Sequence, residues 1–174
     1  MFDKLVDFLL QFVYDFIPIF FVKEYNKGVQ FRSGRFLRIV NPGLRWKVPF
    51  FDSYELKAVV TTTLSIPTQS LTTKDNKRIV VKAVVKYNIS DVKKFILDVY
   101  DGYDAIGDTT QAIVKEIIME RTWEECLDNK VDNMITIKLR SAIKHWGIEV
   151  EKVTLTDLGL INSLRLFNDP NINT

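Results

Sequence analysis

The chain has 174 residues, of which 47% are hydrophobic and 26% are charged. This composition excludes a disordered chain, and the length suits one folded domain with an additional element at one end. The formal net charge of +2 argues against nucleic acid as a partner, because phosphate binding needs a concentrated basic face.

The chain opens with an apolar run that we interpret as a hydrophobic membrane-inserted helix or hairpin over residues 1–22. Asp3, Asp7, Gln11 and Asp15 recur every four residues, so a helix would carry them as one narrow polar stripe. The side chains expected to contact lipid are Leu5, Leu9, Val13, Phe16, Ile17, Pro18, Phe20 and Phe21.

Three arrangements of this segment stay open. A monotopic helix or shallow hairpin would sink its apolar side into one leaflet. A membrane-spanning helix would have to pack its carboxylates against other copies, because charges at bilayer depth are costly. A soluble helix docked on the core of the domain is the third arrangement.

Basic residues follow the apolar run, and residues 1–90 carry 14 Lys and Arg against 7 Asp and Glu. This bias favours a membrane location with the folded domain on the cytoplasmic side. Candidates for contact with lipid headgroups are Lys23, Lys27, Trp46, Phe50 and Phe51. A solvated strand face explains the cations equally well, and core packing explains the aromatic residues equally well.

Short alternating runs separated by turn residues predict strands over residues 29–66. From Leu44 to Val48, apolar and basic residues alternate, so we expect a strand with its apolar side in the core and its basic side in water. The segments 54–66 and 78–89 predict two long strands that pair with each other, with residues 74–77 at a charged hairpin tip.

Helical periodicity replaces alternation in the second half of the chain. Ser90 is the expected N-cap of a helix that begins with Asp91, and further helices are expected over residues 104–123 and 129–146. Residues after Gly147 alternate again and predict a closing strand. This order predicts an α+β fold, with helices packed on one side of a mostly antiparallel sheet.

Short motifs occur in a fixed order: Gly28-Val29, Gly34-Arg35, Asn41-Pro42-Gly43-Leu44, Pro49-Phe50-Phe51-Asp52, Gln69 to Asp75, Tyr87-Asn88-Ile89 and Trp146 to Val150. Together they resemble the SPFH, or band 7, domain of the stomatin/prohibitin/flotillin family, with the stomatin branch most similar. The resemblance sets the domain at residues 23–158 and leaves 159–174 as a short tail. The motif residues expected to shape the fold are Gly34, Arg35, Pro42, Gly43, Pro49, Lys74, Asp75, Trp146 and Gly147.

The resemblance implies a membrane-anchored scaffold that self-associates into ring-like homo-oligomers and organises membrane microdomains. The partners it implies are membrane lipid, copies of the same chain and a membrane protease or channel. Pro18 looks similar to the hairpin proline of the stomatin branch. The tail departs from the long charged helix of the family, and Ala112 to Glu116 departs from its leucine-arginine step. A small adaptor that binds a larger assembly of the family is therefore the alternative function.

Catalytic signatures are scarce in the sequence. It contains no phosphate-binding glycine loop, and its one histidine, His145, and one cysteine, Cys126, provide neither a catalytic set nor a metal site. The neighbouring carboxylates Glu124 and Glu125 fit a solvated helix surface. We expect no enzyme activity, no catalytic residue, no metal and no cofactor.

Overall fold

The computed structural model describes residues 18–128 and 130–161. Within these residues the elements are β1 (Ile19–Val22), β2 (Asn26–Arg32), β3 (Arg35–Val40), β4 (Gly43–Trp46), β5 (Asp52–Ala58), β6 (Thr62–Ser65), β7 (Gln69–Thr72), β8 (Arg78–Ile89), α1 (Val92–Leu97), α2 (Gly102–Met119), α3 (Trp123–Cys126), α4 (Lys130–Ala142), a 3₁₀ turn (Lys144–Trp146) and β9 (Ile148–Leu160). The order of strands, helices and a closing strand confirms the predicted α+β fold.

The long strand β8 lies at the centre of the largest sheet. It pairs antiparallel with β6 and β7 along one edge and with β9 along the other. The predicted pairing of segments 54–66 and 78–89 is right only for β6, because β5 pairs with β2 in a separate sheet. The backbone N–H of Val59 donates to the carbonyl of Tyr25, which ties the end of β5 to that second sheet.

One face of the β8 sheet forms the core. Ile79, Val81, Ala83, Val85, Tyr87 and Ile89 alternate along β8 and are all buried. Helices α2 and α4 cover this face with Ile106, Ile113, Ile117, Ile135 and Leu139. Each such side chain contributes about 1.5–3 kcal/mol through burial. The alternate β8 residues Lys82 and Lys86 point to the other face. The described helices therefore pack on one side of this sheet, as predicted.

Helix boundaries differ from the sequence prediction for a local reason. Asp91, not Ser90, is the N-cap of α1, and its carboxylate accepts from the backbone N–H of Lys93 and Lys94. The helix expected over residues 104–123 ends at Met119. Thr122 and Glu125 then form a capping box that begins α3, because each side chain pairs with a free N–H of the new helix end.

Ile19–Val22 form strand β1, which pairs with β4. The membrane-inserted helix or hairpin predicted over residues 1–22 is therefore not helical at these four positions. Among the residues described, no helix is both long and apolar enough to cross a membrane. The expected lipid contacts Leu5, Leu9, Val13, Phe16 and Ile17 lie outside the described residues, as does most of the tail.

Candidate membrane-binding surface

Strands β1 and β4 form a two-stranded ribbon with one apolar face turned outward. Phe21 pairs opposite Leu44, and Ile19 pairs opposite Trp46, so these four side chains share one face of the ribbon. Phe21, Leu44 and Trp46 are 71%, 59% and 63% exposed. Three large apolar side chains on one face are more than the isolated exposed hydrophobic residues common on soluble proteins.

The other face of the ribbon packs against the domain. Val22 is buried, and the ring of Phe20 stacks on Tyr54 with 3.9 Å between ring centroids. Phe20, one of the expected lipid contacts, therefore lies on the inner face. Pro18, another of them, is exposed, and its carbonyl accepts a hydrogen bond from the backbone N–H of Lys47.

Apolar and basic residues alternate from Leu44 to Val48 as predicted, but the faces are reversed. The apolar side chains point outward and not into the core. Arg45 is half-buried and donates to the carbonyl oxygens of Asn41 and Pro42 at 2.8 and 2.9 Å, whereas Leu44 and Trp46 point outward. Periodicity establishes that alternate residues share a face, but it does not say which face is covered. Here Phe20 and Val22 of β1 already occupy the inner side.

The loop after β4 extends the apolar surface. Phe50 and Phe51 are 76% and 61% exposed. The loop has a defined shape, because the N–H of Val48 donates to the Asp52 carboxylate at 2.8 Å and the N–H of Ser33 donates to the Phe51 carbonyl at 2.8 Å. Phe50 has a φ of +68°, a conformation that costs a residue with a side chain about 1–2 kcal/mol.

Asp52 connects this loop to the sheet β3-β2-β5. Its carboxylate accepts from Arg32 Nε and Nη2 at 2.7 and 3.0 Å and from Gln30 Nε2 at 2.8 Å. Arg38 Nε in turn donates to Gln30 Oε1 at 2.7 Å. The hydrogen bond from Arg32 is the main reason that the pKa of Asp52 falls to about 2. Asp52 was predicted only as part of the Pro49-Phe50-Phe51-Asp52 motif, and its role as an acceptor for Arg32 and Gln30 was not predicted. An acidic residue at the end of an apolar loop was the available signal.

Tyr54 carries a buried polar atom beside this network. Its hydroxyl oxygen is inaccessible to solvent and has no hydrogen-bond partner among the described residues. Burial, with a further contribution from the charge of Asp52, raises the pKa of Tyr54 to about 12.

The expected headgroup contacts separate into two groups. Trp46, Phe50 and Phe51 belong to the ribbon and the loop after it, and Lys23 follows β1 directly, with Nζ 5.6 Å from the centre of the Tyr25 ring. Lys27 lies elsewhere, on β2 opposite Lys57. We call Ile19, Phe21, Leu44, Trp46, Val48, Phe50 and Phe51 the apolar surface.

The motif residues near this surface shape turns. Ser33 and Gly34 have φ values of +49° and +77°, as a two-residue type I′ hairpin turn requires, and Arg35 begins β3 immediately after it. Gly43 follows Pro42 with a φ of +108°. Pro49 lies in the loop after β4, where it cannot continue a strand ladder.

The Lys74-Asp75 motif attaches the β7–β8 hairpin to the helices, at the predicted hairpin tip. Asp75 Oδ1 accepts from the Thr73 hydroxyl at 2.6 Å and from the Trp123 backbone N–H at 3.1 Å. The N–H of Lys74 donates to the Arg121 carbonyl at 2.8 Å. The Thr73 hydrogen bond is the main reason that the pKa of Asp75 falls to about 2.

The Trp146-Gly147 motif joins β9 to the start of α1. Gly147 has a φ of +72°, and its carbonyl accepts from the N–H groups of Ser90 and Asp91 at 2.9 and 3.0 Å. A Cβ atom at this position would lie 2.3 Å from the Asp91 carbonyl oxygen. Only glycine fits, on grounds of both conformation and space.

Residues with potential metal-binding or nucleophilic chemistry lie apart. The described parts of the chain contain no cluster of three or more His, Cys, Asp or Glu residues that could hold a metal ion. Cys126 is buried, and burial raises the pKa of its thiol, which reduces its reactivity.

Comparison with known proteins places the chain in a family. Residues 20–165 match the model of the SPFH domain / Band 7 family. The chain is 32% identical to an uncharacterised protein of Archaeoglobus fulgidus over 148 residues, 31% identical to a stomatin homolog of Pyrococcus horikoshii over 155 residues, and 31% identical to Stomatin-3 of Caenorhabditis elegans over 152 residues.

These matches cover 83%, 88% and 83% of this chain but 59%, 58% and 57% of the three relatives. The chain therefore spans less than two thirds of the length of these relatives. The matched region contains every motif identified in the sequence and the whole apolar surface except Ile19. The chain belongs to the SPFH domain / Band 7 family.

Proposed function

We propose that this protein is a non-enzymatic membrane scaffold that docks on lipid through the apolar surface and self-associates there. The observation that carries the proposal is the outward face of the β1–β4 ribbon, where Phe21, Leu44 and Trp46 are exposed to water. Strand β1, which carries Phe21, comes just after the mainly apolar residues 1–17 in the chain. Aromatic side chains beside cations favour the interface between lipid headgroups and acyl chains.

Two features support docking rather than deep insertion at this surface. The ribbon is held by backbone pairing and by the Phe20–Tyr54 stack, so its apolar side chains are presented by a rigid element. Lys23 and Lys47 flank the ribbon in the sequence, and cations at this depth attract anionic headgroups. The cytoplasmic side of the membrane belongs to the same proposal because basic residues follow the apolar run. Ring-like assembly and a membrane protease or channel as partner are further parts of the proposal, taken from the resemblance stated above.

Vesicle binding tests the proposal. The full chain should float with vesicles that contain anionic lipid, and the double variant Trp46→Ser/Phe51→Ser should bind about tenfold more weakly, because it removes two apolar side chains from the lipid contact. The matched control is Ile137→Ser, since Ile137 is 66% exposed on α4, away from the ribbon. An equal loss of binding in both variants would overturn the proposed surface.

Tryptophan fluorescence supplies a second readout. Trp46 is 63% exposed, so its emission should shift to shorter wavelength and become quenchable by brominated lipid when the protein binds vesicles. Trp46→Phe should abolish the shift while binding persists. If the protein binds vesicles but the emission of Trp46 does not change, the ribbon faces away from the bilayer.

A further inference from the structure

Side chains of α4 cap the outer edge of β9 over its first half. Thr136 Oγ1 accepts a hydrogen bond from the Val153 N–H at 2.9 Å, and Asp132 Oδ1 accepts from the Leu155 N–H at 3.2 Å. Arg140 donates to the carbonyl oxygens of the neighbouring residues 150 and 151. Asp132, Thr136 and Arg140 are spaced by four and share one helix face. This part of the edge is therefore closed to another strand.

Beyond Leu155 the edge continues, and no side chain among residues 18–128 and 130–161 caps it there. Gly159 pairs opposite Val80, and the N–H of Ile161 donates to the Arg78 carbonyl at 2.9 Å. Alternate residues of an antiparallel strand direct their backbone groups to the same neighbour. The backbone groups of Leu158 and Leu160 consequently point away from β8, and within the part of the chain that the structure describes, nothing pairs with them.

We propose that two copies of this chain pair antiparallel through this open edge, about a two-fold axis at Leu158. The proposal rests on the self-association proposed above and names its surface. The segment is self-complementary, because Leu158 would face itself and Asp157 would face Gly159 of the second copy. This register opposes no like charges, which would destabilise a cross-strand pair.

Side-chain burial favours the same pairing. Leu158 pairs opposite Val81 and Leu160 opposite Ile79, so both leucines lie on the core side of the sheet. Leu160 is nevertheless 46% exposed, and a strand added at the edge would cover it. The pair would join two β8 sheets into one continuous sheet. A two-fold contact closes on itself, so a larger ring would need a second surface.

Cysteine crosslinking tests the register. Facing Leu158 residues in a hydrogen-bonded antiparallel pair would have Cα atoms about 5.5 Å apart, within reach of a disulfide. Leu158→Cys in the full chain should give a covalent dimer under mild oxidation. Leu160→Cys, on the same side of the strand but opposite Thr156 of the second copy, should not. Wild type, whose single cysteine is buried, is the second control.

Charge substitution at Gly159 tests the same contact without crosslinking. A Cβ atom at Gly159 meets nothing within 4 Å, so the monomer should tolerate a side chain there. Gly159→Asp would oppose Asp157 of the second copy and should weaken dimerisation about threefold to tenfold, whereas Gly159→Lys should strengthen it by a similar factor. Sedimentation of the two variants measures the difference.

Vesicle flotation of the same variants separates this inference from the proposed membrane function. If wild type floats but Leu158→Cys forms no more dimer than Leu160→Cys, the β9 contact is wrong and the membrane proposal stands. If Leu158→Cys forms the dimer but wild type does not float, the contact is right and the membrane proposal is wrong. Equal dimer affinity of Gly159→Asp and Gly159→Lys would also overturn the contact.

Discussion

Arg32 and Asp52 form two parallel hydrogen bonds across neighbouring strands, with Nε–Oδ1 and Nη2–Oδ2 distances of 2.7 and 3.0 Å. This geometry is the strong bidentate form of an arginine–carboxylate pair. The Asp52 side chain is inaccessible to solvent, and it also fixes the loop that carries Phe50 and Phe51. The pair therefore links the stability of the domain to the shape of the apolar surface.

The Arg32–Asp52 pair should make the domain less stable in acid. The pKa of Asp52 is lowered from 3.8 to about 2 in the folded chain, so its contribution to folding is complete above the unfolded pKa and is lost as pH falls from about 4 to about 2. In urea unfolding, Asp52→Asn should lower stability at pH 7 by about 2 kcal/mol, since charged hydrogen bonds are lost. The difference in the free energy of unfolding between Asp52→Asn and wild type should become smaller at pH 2. If this difference in the free energy of unfolding stays constant across the range, the carboxylate charge is not its cause.

Gly34 and Gly147 have similar backbone conformations but should differ in how well they tolerate alanine. Gly147→Ala should destabilise the chain by at least about 2 kcal/mol, because it adds a steric clash to the cost of a positive φ. Gly34 also has a positive φ, of +77°, but a Cβ atom there would meet no atom within 4 Å. Gly34→Ala should therefore lower the free energy of unfolding by only about 1 kcal/mol. Thermal unfolding of both variants measures the difference. Equal losses of stability in the two variants would show that the atoms around Gly147 move to accommodate the added Cβ.

The Thr136 cap on β9 should stabilise the domain. Thr136→Val keeps the side-chain shape but leaves the buried N–H of Val153 without its acceptor. The free energy of unfolding should therefore fall by about 1–3 kcal/mol. Thr154→Val on the opposite side of the strand is the control, because the Thr154 hydroxyl makes no hydrogen bond to the described residues. Chemical denaturation distinguishes the two, and a comparable loss in Thr154→Val would mean that the cap contributes little.

The Tyr54 hydroxyl should not stabilise the domain. Tyr54→Phe should leave stability unchanged or raise it by about 1 kcal/mol, because it removes a buried polar group that has no partner in the described residues. Tyr25→Phe, at a position that is 45% exposed, should change little. A clear loss of thermal stability in Tyr54→Phe alone would show that the hydroxyl has a hydrogen-bond partner outside the described residues.

Much of the fold could be predicted from local chemistry. The change from alternation to helical periodicity after residue 89 gave the order of elements, and Gly34 and Gly147 occupy positions that require positive φ. The ends of the helices were predicted with errors of one residue or more. For α1 the reason is that Ser90 and Asp91 are both good N-caps. The three-dimensional contact of Ser90 with Gly147 assigns the cap to Asp91.

The candidate surface was predictable in composition but not in direction. The sequence alone determined that Leu44 and Trp46 share a face, since a strand has a period of two. Tertiary structure decided that this face points outward, because Phe20, Val22 and Tyr54 fill the space on the other side. The same holds for β9, where alternation determined the strand and only the packing of α4 decided which part of its edge is closed.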